Sequence, residues 1–139
     1  MIYCAFVGGF KDPRLAQLAD DYARRLERLW PVTRVEIKEN PKDILKYIEA
    51  KKGRADLVSL DAPGESLDSP GFARWVTHSP RDLHFFGWGA SGPPAGMAGH
   101  FIRSLSLSPM TFSHEMARVL LMEQLYRAGA LLKGHPYPK

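Results

Sequence analysis

One cysteine in 139 residues, Cys4, excludes a disulfide framework and any zinc site built on several thiolates. It lies inside the apolar run Ile2-Tyr3-Cys4-Ala5-Phe6-Val7, and lone cysteine usage of this kind fits a reducing cytoplasm. Long hydrophobic runs are also missing. That N-terminal run gives way to Gly8-Gly9, has no basic residues before it, and nothing elsewhere approaches the roughly 20 apolar residues a bilayer requires, so neither secretion nor membrane insertion is expected. His78, His84, His100, His114 and His135 show no i, i+4 pairing and little acidic company, which leaves no metal site to draw. No G-x-S-x-G accompanies Ser113-His114 and Asp61, so a hydrolase triad is set aside. Repeats, low-complexity segments and linkers are absent, and residues 1–139 are read as a single domain.

What is present is an ordinary globular composition, 45% apolar and 24% charged, sufficient for a packed core. A formal charge of +4 favours a polyanionic partner, because Lys and Arg gain affinity by releasing counterions from phosphates. Basic residues gather in Arg24, Arg25 and Arg28 and again in Lys42, Lys46, Lys51, Lys52 and Arg54. Acidic residues are mixed into both groups, so each alone reads as a solvated helix face.

Periodicity supplies the elements. Residues 2–7 read as a buried strand, and Asp12-Pro13 opens an amphipathic helix carrying Leu15, Leu18, Tyr22, Leu26 and Leu29 up to Pro31. Residues 32–38 alternate as a half-exposed strand, and Pro41 opens a second helix ending near Gly53. Leu57 to Leu60 reads as a third strand broken by the turn Asp61-Ala62-Pro63-Gly64, and Ser69-Pro70 begins a short helix through Trp75. Leu83 to Phe86 is a fourth strand, a weak helix is expected over 94–102, and Leu105 to Leu107 supplies a short fifth strand. This alternation predicts an α/β fold with a largely parallel sheet and helices on both faces. The last helix, His114 to Leu132, is apolar almost all round and must be buried; one flank packs on the sheet and a partner subunit is the economical cover for the other, which predicts a homodimer.

Gly87-Trp88-Gly89-Ala90-Ser91-Gly92 satisfies the dinucleotide fingerprint but lies in the wrong place. It follows a late strand, Pro93-Pro94 stands behind it, and Phe112-Ser113 occupies the position about twenty residues on where an acidic ribose ligand is needed. A nucleotide-dependent oxidoreductase therefore ranks last. A glycine-lined backbone pocket at a strand's C-terminal end fits better. Ser108-Pro109-Met110-Thr111-Phe112-Ser113 leads to the start of the buried helix and offers free backbone groups, with Ser113 as its cap; a plain capped connection is the simpler reading of that segment alone. Within the helix Glu123 and Arg127 are spaced to pair, while Arg118 has only Glu115 one turn earlier and is placed to serve either an ion pair or an RNA phosphate. The tail His135-Pro136-Tyr137-Pro138-Lys139 leaves the helix and offers an aromatic and a titratable group.

Leu60-Asp61-Ala62-Pro63-Gly64, the glycine loop, Ser104 to Ser108, His114 to Leu120, Glu123 to Ala128 and His135-Pro136-Tyr137 together resemble the RlmH family. These are SPOUT-class enzymes that methylate N3 of a pseudouridine in helix 69 of large-subunit (23S) ribosomal RNA. The resemblance implies a C-terminal trefoil knot, a homodimer, and S-adenosylmethionine held in the knot against Leu60, Gly89 and Ser108, Pro109, Met110, Thr111, Phe112 and Ser113. It suggests His135, Tyr137 and Arg118 as contacts to the target base, with the 23S rRNA in the assembled ribosome as partner and no metal. Two positions depart from the family pattern: Trp88, where members carry a glycine, and Pro138, where the tail usually ends in histidine. They motivate the alternative of a non-catalytic ribosome-binding or assembly factor that retains the fold.

Overall fold

The computed structural model describes residues 1–137. Five strands, β1 (Ile2–Val7), β2 (Val32–Ile37), β3 (Ala55–Ser66), β4 (Asp82–Gly87) and β5 (Arg103–Ser106), form one sheet in the order β2-β1-β4-β3-β5 with every neighbouring pair parallel. Four helices accompany them: α1 (Pro13–Leu26), α2 (Pro41–Lys51), α3 (Ser69–His78) and α4 (His114–Leu132). The expected α/β rhythm is present.

Strand alternation sorts the core into two layers. Ile2, Cys4 and Phe6 of β1 and Leu83 and Phe85 of β4 turn to one face, where Ala19 and Leu26 of α1, Phe72 and Val76 of α3 and Leu121 and Leu125 of α4 cover them. Ala5, Val7 and Phe86 turn to the other, under Ile44 and Ile48 of α2 and under Trp88 and Met97 of the following loop. Each early helix starts on a side-chain cap with a proline at its first or second position: Asp12 accepts from Arg14 N, Asn40 from Asp43 N and Asp68 from Gly71 N.

Four boundaries differ from the expectation. Strand β3 does not break at Asp61 but runs on to Ser66, because Leu60 and Glu65 both oppose Leu105 of β5 and the four residues between them bulge out of the ladder. Gly64 crosses so close to β5 that a Cβ there would lie 2.7 Å from the carbonyl carbon and oxygen of Ser104. The weak helix expected over 94–102 is reduced to a single 3-10 turn at Ala98–His100, since Gly96 adopts φ +82°, which no right-handed helix accommodates. Helix α1 closes at Leu26, whose carbonyl accepts from both Leu29 and Trp30 N–H; the tight turn lets the Trp30 indole donate to Leu125 O at 3.1 Å. Helix α3 continues past Trp75 to His78 because Val76 is still on its buried face.

Candidate active site

The C-terminal ends of β3, β4 and β5 and the first turn of α4 surround a cavity of about 410 Å3. This is where an open parallel sheet presents its strand-to-helix loops, and the size falls in the usual range for small-molecule sites. Of the eight residues marked in the sequence, Leu60, Gly89, Ser108, Met110, Thr111, Phe112 and Ser113 line it; Pro109 does not. Leu105 and Leu107 add apolar wall, and Asp61 is the one carboxylate among the lining residues.

The 108–113 segment is shaped by its own serines. Ser106 Oγ donates to Ser108 O at 2.9 Å, Ser108 Oγ accepts from Met110 N at 3.0 Å, and Ser113 Oγ accepts from Met116 N at 3.3 Å to cap α4. The positive end of the α4 dipole therefore faces the cavity through His114 and Ala117. Ala62, Ala90, His114 and Ala117 stand in the quoted motifs but, like Pro93, are not among the residues expected to hold the cofactor, because small or commonplace side chains carry no signal of their own outside the assembled site. Asp61 stood beside Leu60 in the quoted motif and was legible there.

Trp88 resolves one of the two departures. Its ring is buried, donates from Nε1 to Ser59 Oγ at 2.8 Å, and packs on Phe86 and Phe101 with centroids 5.5 and 5.7 Å away, in the α2-side core layer. A large side chain here adds to the core behind the glycine loop. Pro138 lies outside the described residues.

Arg118 is only 1% exposed and cannot meet a polyanion at the surface. Its guanidinium donates to the carbonyls of Val7, Gly8 (2.9 Å) and Trp88 (3.4 Å) and lies between the rings of Phe6 and Phe10, at 5.3 and 5.4 Å from their centroids. Burial pulls its pKa down, opposed by Glu115, Glu39 and Glu36. One turn before it, Glu115 accepts from the backbone N–H groups of Lys11 and Asp12 at 3.0 and 3.1 Å. These two charges fasten α4 to the ends of β1 and β4, which fixes the helix N-terminus against the cavity.

The tail is held elsewhere. Gly134, at φ +65°, ends α4 with paired bonds from Gly134 N to Leu131 O and from His135 N to Ala130 O. Tyr137 then folds back: its ring stands edge-on to Tyr126 at 4.7 Å, Arg127 lies over it at 4.7 Å, and its hydroxyl meets Tyr22 Oη at 3.3 Å. Burial and bonds to Tyr22 and Glu123 push the Tyr137 phenol up from its ordinary pKa. Arg127 and Glu123 pair at 3.1 Å, as their spacing predicts. His135 is exposed. Since Tyr126 lies nine residues along α4 from Ala117, about 13 Å at 1.5 Å per residue, Tyr137 and the cavity sit toward opposite ends of one helix.

Fold, cavity and loop chemistry define a class, and residues 1–138 match the family described as "Predicted SPOUT methyltransferase". Among solved structures the chain resembles a probable methylase family protein from Haemophilus influenzae, with a TM-score of 0.66 at 12% identity over 99% of this chain and 72% of the other. It also resembles the SpoU methyltransferase AviRb of Streptomyces viridochromogenes, solved with AdoMet, with a TM-score of 0.54 at 12% identity over 90% and 56%. Three curated relatives named "Ribosomal RNA large subunit methyltransferase H" are 38, 36 and 35% identical: those of Gemmatimonas aurantiaca (91% of this chain, 94% of the relative), Solibacter usitatus (98% and 97%) and Sorangium cellulosum (96% and 95%). The chain belongs to this family of SPOUT methyltransferases.

Proposed function

We propose that the protein is an S-adenosylmethionine-dependent methyltransferase of 23S rRNA acting at N3 of a pseudouridine in helix 69. The observation that carries the reading is the cavity at the C-terminal edge of the sheet, where three loops from β3, β4 and β5 meet the α4 N-terminus. Its volume, its apolar floor of Leu60, Leu105 and Leu107, and its backbone-rich 108–113 wall suit a nucleoside joined to an amino acid, while Asp61 complements a cationic ligand. When bound, S-adenosylmethionine supplies an electrophilic methyl on its sulfonium. The protein's own part is alignment and help with the imide proton of the target base. Arg118 and Glu115 serve alignment by locking the first turn of α4, which moves Arg118 from base contact to positioning.

His135 and Tyr137 are the remaining candidates for the target base, yet they lie at the far end of α4 from their own chain's cavity. A homodimer removes the conflict: crossing two copies of α4 in opposite senses brings one tail to the other cavity. Exposed apolar residues support such a face, with Met116, Leu131 (56% exposed) and Leu132 (57% exposed) along α4 and Met110 and Phe112 beside the cavity. The trefoil knot belongs to the same reading, supported by the β3 extension folding across β5 at Gly64.

Mapping methylated 23S rRNA by mass from a deletion strain, with and without complementation, tests the assignment. The expected result is one methyl missing in helix 69 and restored by the gene; full methylation in the deletion strain overturns it. Trp88, now part of the core, no longer motivates a non-catalytic factor, and titration calorimetry with S-adenosylmethionine is expected to show one site per chain.

A further inference from the structure

The C-terminal end of α1 and the α4 tail assemble into one surface that lies away from the chain's own cofactor cavity. Three tyrosines meet there: Tyr22 of α1, Tyr126 of α4 and Tyr137 of the tail, with Tyr22 and Tyr126 ring centroids 6.1 Å apart. Arg25 lies over two of them, 5.5 Å from the Tyr22 centroid and 5.8 Å from that of Tyr126. The turn after α1 docks on the last turns of α4, with Leu29 and Trp30 against Gly129, next to the helix end at Lys133.

Charge pairing on this surface is uneven. Asp21 is taken by Arg24, and Glu123 by Arg127. Glu27 lines a separate cavity beside Arg34 and Glu36. Among the described residues no carboxylate pairs with Arg25, Arg28 or Lys133. An arginine held over aromatic rings has already lost much of its side-chain freedom and keeps its planar N–H fork for an anion with two accepting oxygens. Arg28 follows one turn on, its N–H bonded to Arg25 O, and Lys133 caps the end of α4. Phosphodiesters along an RNA strand are such anions in series, and tyrosines beside them suit an unpaired base.

We infer that Arg25 and Arg28, with Lys133 beside them, form a phosphate-gripping face that docks the enzyme on the RNA backbone next to its target. The inference rests on the rRNA reading above and extends it to a part of the chain remote from that chain's own cavity. Such contacts hold any sequence of suitable shape and raise affinity without taking part in methyl transfer.

The test uses the full chain and its Arg28→Gln and Arg25→Gln/Arg28→Gln variants, with binding to large ribosomal subunits, binding to a labelled RNA hairpin, and methyl transfer all read against salt. The double variant is expected to bind subunits about tenfold more weakly, to raise KM for them while kcat holds, and to lower the slope of log affinity against log salt by about 1 per arginine removed. Its calorimetric affinity for S-adenosylmethionine and its Tm serve as controls. Arg28→Gln, at an exposed position outside the Tyr22 and Tyr126 cluster, covers the case in which the double variant disturbs the tyrosines, and is expected to show about half the slope change. Unchanged affinity and slope with active wild-type enzyme overturns the inference and leaves the methyltransferase reading intact. A deficit on subunits with none on the hairpin also overturns it, by pointing to a ribosomal protein. If the wild type methylates nothing yet the variants lose binding to both, the enzymatic reading fails and the docking face stands.

Discussion

Arg118 shows how one side chain gains its role from surroundings. Spacing alone left it a phosphate ligand or half of an ion pair; in the fold its fork serves three carbonyls at the ends of β1 and β4. Arg118→Met is expected to cost about 3 kcal/mol or more in urea unfolding, because buried carbonyls lose their donors, and Arg118→Lys to recover only part, since a point charge cannot span the same acceptors. His84 offers a second test at this scale. It is buried, stacks on Tyr3 at 4.2 Å and shares a 2.7 Å hydrogen bond with Tyr47 Oη. Burial, with Lys51 adding to it, holds its pKa down at about 4 against 6.5. The unfolded chain takes a proton near 6.5 that the folded chain refuses until about 4, so this contribution is complete above 6.5 and is lost as pH falls through that window. Up to about 3 kcal/mol is involved. Urea unfolding at pH 7 and pH 4.5 should show a steeper acid loss in the wild type than in His84→Asn.

At the scale of elements, β3 matters most. The sequence Asp61-Ala62-Pro63-Gly64 has the composition of a turn, and so reads as the end of a strand. Pairing with β5 on both sides of the bulge overrides that local preference, and the bulge becomes the Leu60–Ala62 wall of the cavity. Gly64→Ala, whose Cβ meets backbone 2.7 Å away, is expected to cost about 2 kcal/mol and to weaken S-adenosylmethionine binding in the same protein, read by thermal melts with and without ligand. A weakened fold with an unaltered ligand-induced shift would separate the bulge from the site. Helix α4, by contrast, runs over the residues its pattern predicts, His114 to Leu132, because its Ser113 cap and its Gly134 ending are local signals.

For the whole molecule the outer side of α4 sets the assembly. Met116 and Leu131 are exposed at its two ends. Met116→Asp/Leu131→Asp is expected to give a monomer by sedimentation equilibrium, to retain much of its affinity for S-adenosylmethionine, and to lose methyl transfer by at least about tenfold as the tail leaves the partner's cavity. A dimer of undiminished activity would remove the cross-chain role from His135 and Tyr137. If charge on the α1 end also guides docking, activity of the wild type on ribosomes falls steeply with salt while cofactor binding does not.

Much of this protein is set by local chemistry. Proline-led caps, period-two strands and a helix apolar on most sides place the five strands and four helices, with only the end of β3 missed by more than a few residues, and seven of the eight residues that the family resemblance implied line the cavity. These features survive because each depends on neighbours within a turn or a strand. Tertiary structure alone decided the rest: that Asp61 to Gly64 is a bulge, that Trp88 turns into the core, that Arg118 is a post, and that Arg25 lies across Tyr22 and Tyr126. Each involves groups far apart in the chain, whose meeting depends on how helices and strands are stacked, and no short-range preference encodes it.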